Sequence, residues 1–126
     1  MQIGLVGLGK MGYNLALNLR DHHHDVIAYD IHSEAVENFK KDGGTGANSI
    51  SELVSLLSSP KVVWVMVPAG EITSNVINEL KGLLKENDII IDGGNSKYKD
   101  SIARAEELKK LGIHFLDVGT SGGISG

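Results

Sequence analysis

The sequence contains no cysteine. That removes disulfides, thiolate nucleophiles and cysteine metal sites together. Positive charge is not in excess either: twelve lysines and arginines face sixteen acids, for a formal net charge of −4 and a pI near 5.7. Nucleic acid and other polyanions are therefore poor partners. No apolar run is long enough to span a bilayer, and the chain opens on a strand-like run that leaves no room for a signal peptide. The expectation is one soluble, cytoplasmic domain over residues 1–126, with no membrane and no nucleic-acid partner. At 126 residues it is long enough to bury a core without staples. Glycine is what the chain does have, sixteen in all, clustered at predicted turns.

The first dozen residues set the frame. An apolar run, 3–6, feeds a Gly7-x-Gly9-x-x-Gly12 turn, and an apolar-periodic stretch follows at once. Strand, tight turn and helix in that order receive a dinucleotide pyrophosphate at the helix N-terminus. Gly7 makes the turn, Gly9 admits phosphate oxygens close to backbone, and Gly12 lets the helix pack on the strand. A second strand, 25–30, ends in Asp30, 18 residues beyond Gly12. An acid about 20 residues on accepts hydrogen bonds from the adenosine ribose hydroxyls. It also repels a 2′-phosphate, and no arginine follows in the loop Ile31, His32, Ser33 to receive one. The cofactor expected is NAD. Capping the next helix is the competing role for Asp30, although Ser33 is the more natural cap.

The remaining chain alternates in the same way. A helix over 33–42 closes at Gly43 and Gly44, and a short outer strand spans 45–47. Ser49 and Glu52 form a capping box for a helix that stops before Pro60. The β-branched run 61–67 reads as a central buried strand whose carboxyl end places Val67, Pro68 and Ala69 at the cofactor crevice. Helix to about Glu86, strand 87–92, the loop Gly93-Gly94-Asn95-Ser96, helix 99–111 and strand 113–118 complete the order. The fold class predicted is α/β, a Rossmann-type doubly wound parallel sheet of about six strands with helices on both faces. The triple His22, His23, His24 falls in a helix-to-strand turn with no nearby acid to complete a metal site, and reads as solvated.

These residues resemble the β-hydroxyacid dehydrogenases and, within them, the N-terminal domain of the decarboxylating 6-phosphogluconate branch. The resemblance covers the whole chain. It rests on Gly-Leu-Gly-Lys-Met-Gly at 7–12, Met-Val-Pro-Ala-Gly at 66–70, Asp-Gly-Gly-Asn-Ser at 92–96 and Ser-Gly-Gly at 121–123. The third stretch discriminates, since hydroxyisobutyrate-type relatives carry an Asp-x-Ser-Thr sequence there. The resemblance implies that Gly7, Leu8, Gly9, Lys10, Met11, Gly12, Asp30, Ile31, His32, Val67, Pro68, Ala69 and Asn95 contact the dinucleotide. It implies that Asn95, Ser121, Gly122 and Gly123 contact 6-phosphogluconate. NADP-using members place Asn-Arg-Thr where this chain has Asp30, Ile31 and His32, and a lysine at Pro68, so the departures resemble the smaller NAD-using branch. Acids that often follow the Gly-Gly pair are here Ile124 and Ser125.

The reaction implied is oxidation of a C3 hydroxyl by hydride transfer, loss of carbon dioxide and protonation to ribulose 5-phosphate. The family's general-base lysine and general-acid glutamate lie in an all-helical substrate and dimerisation domain, absent from this chain. No catalytic residue is therefore assigned, Lys97 and Lys99 included, and the isolated chain is expected to be inactive. The full-length protein is expected to be at least a dimer. Two alternatives stand beside this reading: a nucleotide-sensing regulatory module, and a 3-hydroxyisobutyrate-type dehydrogenase domain.

Overall fold

A computed structural model describes residues 1–68, 70–93 and 98–118, with 98–101 by backbone alone. Strands and helices alternate throughout. The order is β1 (Gln2–Val6), α1 (Lys10–Asp21), β2 (Asp25–Tyr29), α2 (Ser33–Lys41), β3 (Thr45–Gly46), α3 (Ile50–Leu56), β4 (Val62–Val65), α4 (Glu71–Leu83), β5 (Ile89–Asp92), α5 (Tyr98–Lys110) and β6 (His114–Asp117). The six strands form one parallel sheet in the order β3-β2-β1-β4-β5-β6. Order reverses between β1 and β4, which opens a crevice beyond their carboxyl ends.

Alternation of side chains along the strands builds two cores. Leu5, Val26, Ala28 and Trp64 pack with α1 and α2 through Ala16, Val36 and Phe39 on one face. Val6, Ile27, Val63 and Val65 pack with α3, α4 and α5 through Leu53, Ile77, Leu80 and Leu108 on the other. Leu5, Leu53, Leu80 and Leu108 are fully buried, each burial worth about 2–3 kcal/mol. Helices therefore cover both faces, as the β-branched central runs require.

Several boundaries move. The strand expected at 61–67 is regular only over Val62–Val65, and that expected at 87–92 only over Ile89–Asp92. At their amino ends the reason is Asp88, buried and accepting from the amides of Lys61 and Lys85, both at 2.8 Å. This carboxylate folds 85–88 into a turn, with Asn87 at φ 77°. Helix α4 accordingly stops at Leu83, short of Glu86, as Leu84 turns extended and dives into the core. The last strand is likewise shorter, His114–Asp117 rather than 113–118.

The cap at Ser49 forms, with the return bond from Glu52 made to the residue before it. Glu52 N–H donates to Ser49 Oγ at 3.0 Å, and the Glu52 carboxylate takes the Asn48 amide at 2.9 Å. Ser49→Ala is expected to cost about 1 kcal/mol, measured as a lower midpoint in a urea melt. Ser33, by contrast, is not a cap: His32 holds that position, without a side-chain bond, and Ser33 is the first helical residue.

Candidate nucleotide-binding site

The parallel register brings five strand ends level. Val6 pairs with Tyr29 and with Val65, Val65 with Asp92, and Asp92 with Asp117. The residues that follow, Gly7, Asp30, Met66 and Gly93, therefore share one edge of the sheet. Backbone bonds carry the ladder past the strands: Gly7 N to Tyr29 O at 2.8 Å, Met66 N to Val6 O at 2.7 Å, Gly93 N to Val65 O at 2.9 Å.

Each glycine of the first turn has a separate physical reason. Gly7 sits at φ 109°, and a Cβ there would lie 2.2 Å from the Met66 carbonyl oxygen. A Cβ on Gly12 would lie 2.1 Å from the Gly7 carbonyl oxygen, so α1 approaches the turn as closely as backbone permits. At Gly9 a Cβ would meet nothing within 4 Å. The open space lies where a ligand would come against the backbone. Gly9 also caps α1, whose first intrahelical bond is Tyr13 N to Gly9 O. The amides of Lys10, Met11 and Gly12 precede that bond and face outward from the positive helix end. No acid stands in the first turn to occupy them.

Asp30 organises the neighbouring strand end. One carboxylate oxygen accepts from Leu8 N at 2.6 Å, the other from His32 N at 2.8 Å. The first bond ties β2 to the glycine turn; the second orders the start of α2, the work expected of Ser33. Each oxygen retains a lone pair for a ligand. Leu8 thus spends its amide inside the protein and buries its side chain. Ile31 and Met11 stand out in solvent, 83% and 71% exposed. Beside Asp30 a cleft of about 110 Å³ runs between Tyr29, Ser33, Glu37 and Asn48. A larger hollow of about 460 Å³ opens at the opposite edge, among Gln2, Arg20, Asp25, Thr45 and the Gly43-Gly44 turn, away from the Gly7–Gly12 turn.

Tyr13, on the first turn of α1, donates its hydroxyl to the Asp42 carboxylate. That hydrogen bond raises the phenol above its ordinary pKa. Arg20 donates to Asp42 O at 2.8 Å and lies over the Phe39 ring, joining the end of α1 to α2.

Val67 and Pro68 follow β4 at the crevice, half-buried and exposed respectively. Thr73, fully buried, donates to Pro68 O at 2.8 Å and holds this segment against α4. Ala69, Gly94, Asn95 and Ser96, together with Ser121, Gly122 and Gly123, lie outside the described residues. Gly93 has a packing reason: a Cβ there would come within 2.2 Å of Met66 Sδ and 2.5 Å of Trp64 Nε1.

The sequence reading missed the pair at the end of β5. Asp92 is fully buried, and Arg104 of α5 brings its guanidinium to 3.8 Å from it. Arg104 also donates to Ser74 Oγ of α4 at 2.6 Å. Its signal was present: Arg104 stands four residues before the fully buried Leu108, on the inward stripe of α5.

A parallel sheet in this order, with a glycine turn entering α1 and a carboxylate at the end of β2, defines a dinucleotide-binding domain of the Rossmann type. The family profile described as the NAD binding domain of 6-phosphogluconate dehydrogenase matches residues 2–126, and the chain belongs to that family. It is 46% identical over 129 residues to the decarboxylating 6-phosphogluconate dehydrogenase of Candida albicans, covering 98% of this chain and 25% of that one. It is 39% identical over 126 residues to the NAD(+)-dependent decarboxylating enzyme of Haloferax volcanii, covering 100% of this chain and 41% of that one. Among solved structures, Plasmodium falciparum 6-phosphogluconate dehydrogenase, whose description includes complexes with NADP+ and with 6-phosphogluconate, superposes with TM-score 0.85. The identity there is 30%, over 91% of this chain and 26% of that one. Mycobacterium tuberculosis 3-hydroxyisobutyrate dehydrogenase, at 23% identity and TM-score 0.83 over 98% of this chain and 43% of that one, shares the fold. The chain thus spans between a quarter and about two fifths of the curated relatives described here.

Proposed function

We propose that this chain is the cofactor domain of an NAD-dependent, decarboxylating 6-phosphogluconate dehydrogenase, and that it favours NAD over NADP. The observation that carries the reading is Asp30: a carboxylate fixed by two backbone amides beside a glycine turn with open space at Gly9. The residues fit the dinucleotide. The amides of Lys10, Met11 and Gly12 would hold the pyrophosphate at the positive end of α1. Asp30 would accept from the adenosine ribose hydroxyls, with Ile31 and His32 beside it. Val67, Pro68 and Ala69 would line the crevice toward the nicotinamide, and Asn95 would reach both nicotinamide and sugar acid. Ser121, Gly122 and Gly123 would hold the sugar acid.

Bound NAD supplies the hydride acceptor. This chain's own part is to orient that acceptor, while proton transfer and substrate-phosphate binding belong to a further helical domain that also builds a dimer. The keto acid loses carbon dioxide because a carbonyl β to the carboxylate accepts the electron pair of the breaking bond. Titration calorimetry of the 126-residue chain is expected to give NAD affinity at least tenfold above NADP. Equal or reversed affinities would sink the Asp30 reading. Steady turnover of 6-phosphogluconate by this chain alone would sink the division of labour.

A further inference from the structure

We propose that Glu37 is a second determinant of cofactor choice, acting through its own charge and by pairing with Lys40. This rests on the nucleotide reading above and goes beyond Asp30. Glu37 lies one helical turn after Ser33, and both side chains line the cleft of about 110 Å³ that Asp30 borders. A phosphate on the 2′-oxygen of the ribose that Asp30 holds would enter or border that cleft. It would meet two carboxylates there. Both residues line that small cleft, and charges closer than the screening length of about 8 Å at physiological salt still feel one another.

A cation for such a phosphate is nonetheless close by. Lys40 reaches Glu37 at 3.6 Å, and its stem runs along the β3 edge, with Cε 2.7 Å from where a Cβ on Gly46 would stand. The glycine at 46 gives the lysine its bed, and the glutamate gives its ammonium a partner. While Glu37 is charged, Lys40 is neutralised beside the cleft. Removing that charge does two things at once: it lifts one repulsion and frees the ammonium of Lys40, three residues along the same helix. Aspartate and glutamate together, with the lysine occupied, make the cleft a place for bare hydroxyls.

The test is a double-mutant cycle on the 126-residue chain, with Glu37→Gln, Lys40→Gln and the double variant each titrated with NAD and NADP by calorimetry at low and physiological salt. Glu37→Gln is expected to shift the NADP-to-NAD affinity ratio about fivefold toward NADP, more at low salt. Glu37→Gln with Lys40→Gln is expected to give back at least half of that shift. A ratio unchanged in Glu37→Gln, with NAD still bound, overturns the role of Glu37 and leaves the nucleotide reading standing. A shift that survives in the double variant overturns the restraint of Lys40. Failure of the unsubstituted chain to bind NAD overturns the nucleotide reading and this inference with it. All the substituted side chains are exposed, so thermal midpoints should match the parent chain.

Discussion

Gly12→Ala is expected to abolish measurable NAD binding and to destabilise the domain, whereas Gly9→Ala should weaken binding with only the small loss of stability that alanine brings at a helix N-cap. The two glycines stand three residues apart in one turn, yet their surroundings differ. At Gly12 an added methyl would fall 2.1 Å from the Gly7 carbonyl oxygen, inside van der Waals contact with backbone. Backbone cannot rotate away as a side chain can, so α1 must lift from β1. Overpacking of this kind costs about 1–3 kcal/mol, and the displaced helix end no longer aims its amides at the pyrophosphate. At Gly9 the same methyl meets nothing within 4 Å, and φ is an ordinary −65°. Its only obstacle would be the ligand. Thermal melts and NAD titrations of both variants separate these effects. Undiminished NAD affinity in Gly9→Ala would mean that the pyrophosphate does not lie against that turn.

Arg104→Met is expected to destabilise the domain strongly. Methionine retains an apolar stem but withdraws the guanidinium that faces buried Asp92 at 3.8 Å and Ser74 at 2.6 Å. A carboxylate at zero exposure that loses its cation costs about 3–5 kcal/mol; the long contact favours the lower figure. At about 3–5 °C per kcal/mol for a domain of this size, the melting midpoint should fall by roughly ten degrees or more. Arg104→Lys, which keeps the charge without the fork to Ser74, should recover part of the loss. A midpoint within two degrees of the parent would show that Asp92 draws its stability from elsewhere. Because Asp92 begins the Asp-Gly-Gly-Asn-Ser stretch, NAD affinity measured on the same variant reports whether the crevice feels the change.

The sheet was legible because its information is local and repeated. Apolar runs at 3–6, 25–30, 61–67 and 113–118, each set off by glycine or polar residues, could become little else than strands of a parallel sheet. The glycine turn was legible for the same reason: three fixed spacings, each with one steric meaning. Side-chain bonds between segments were not legible. Asp88 shortens one helix and two strands by capturing amides at 61 and 85, and nothing local distinguishes it from any exposed acid in a turn. Ser33 lost its capping position to a bond that Asp30 makes with His32, a choice settled by where the glycine turn holds Asp30. Arg104 and Asp92 stand twelve residues apart and meet only because α5 returns across the sheet.

The two backbone bonds of Asp30 also bear on how such a domain could change its cofactor over evolutionary time. A residue that only read the ribose could be exchanged freely for one suited to a phosphate. Asp30 instead fastens the glycine turn through Leu8 and starts the second helix through His32. Asparagine and threonine each offer one acceptor oxygen where aspartate offers two, and arginine, with no acceptor, would abandon both bonds. A lineage leaving NAD would first have to secure that turn by other means, and only then acquire affinity for the heavier nucleotide. The order of substitutions is constrained, and the intermediate that swaps the acid first is a protein with a loosened turn and no preferred cofactor.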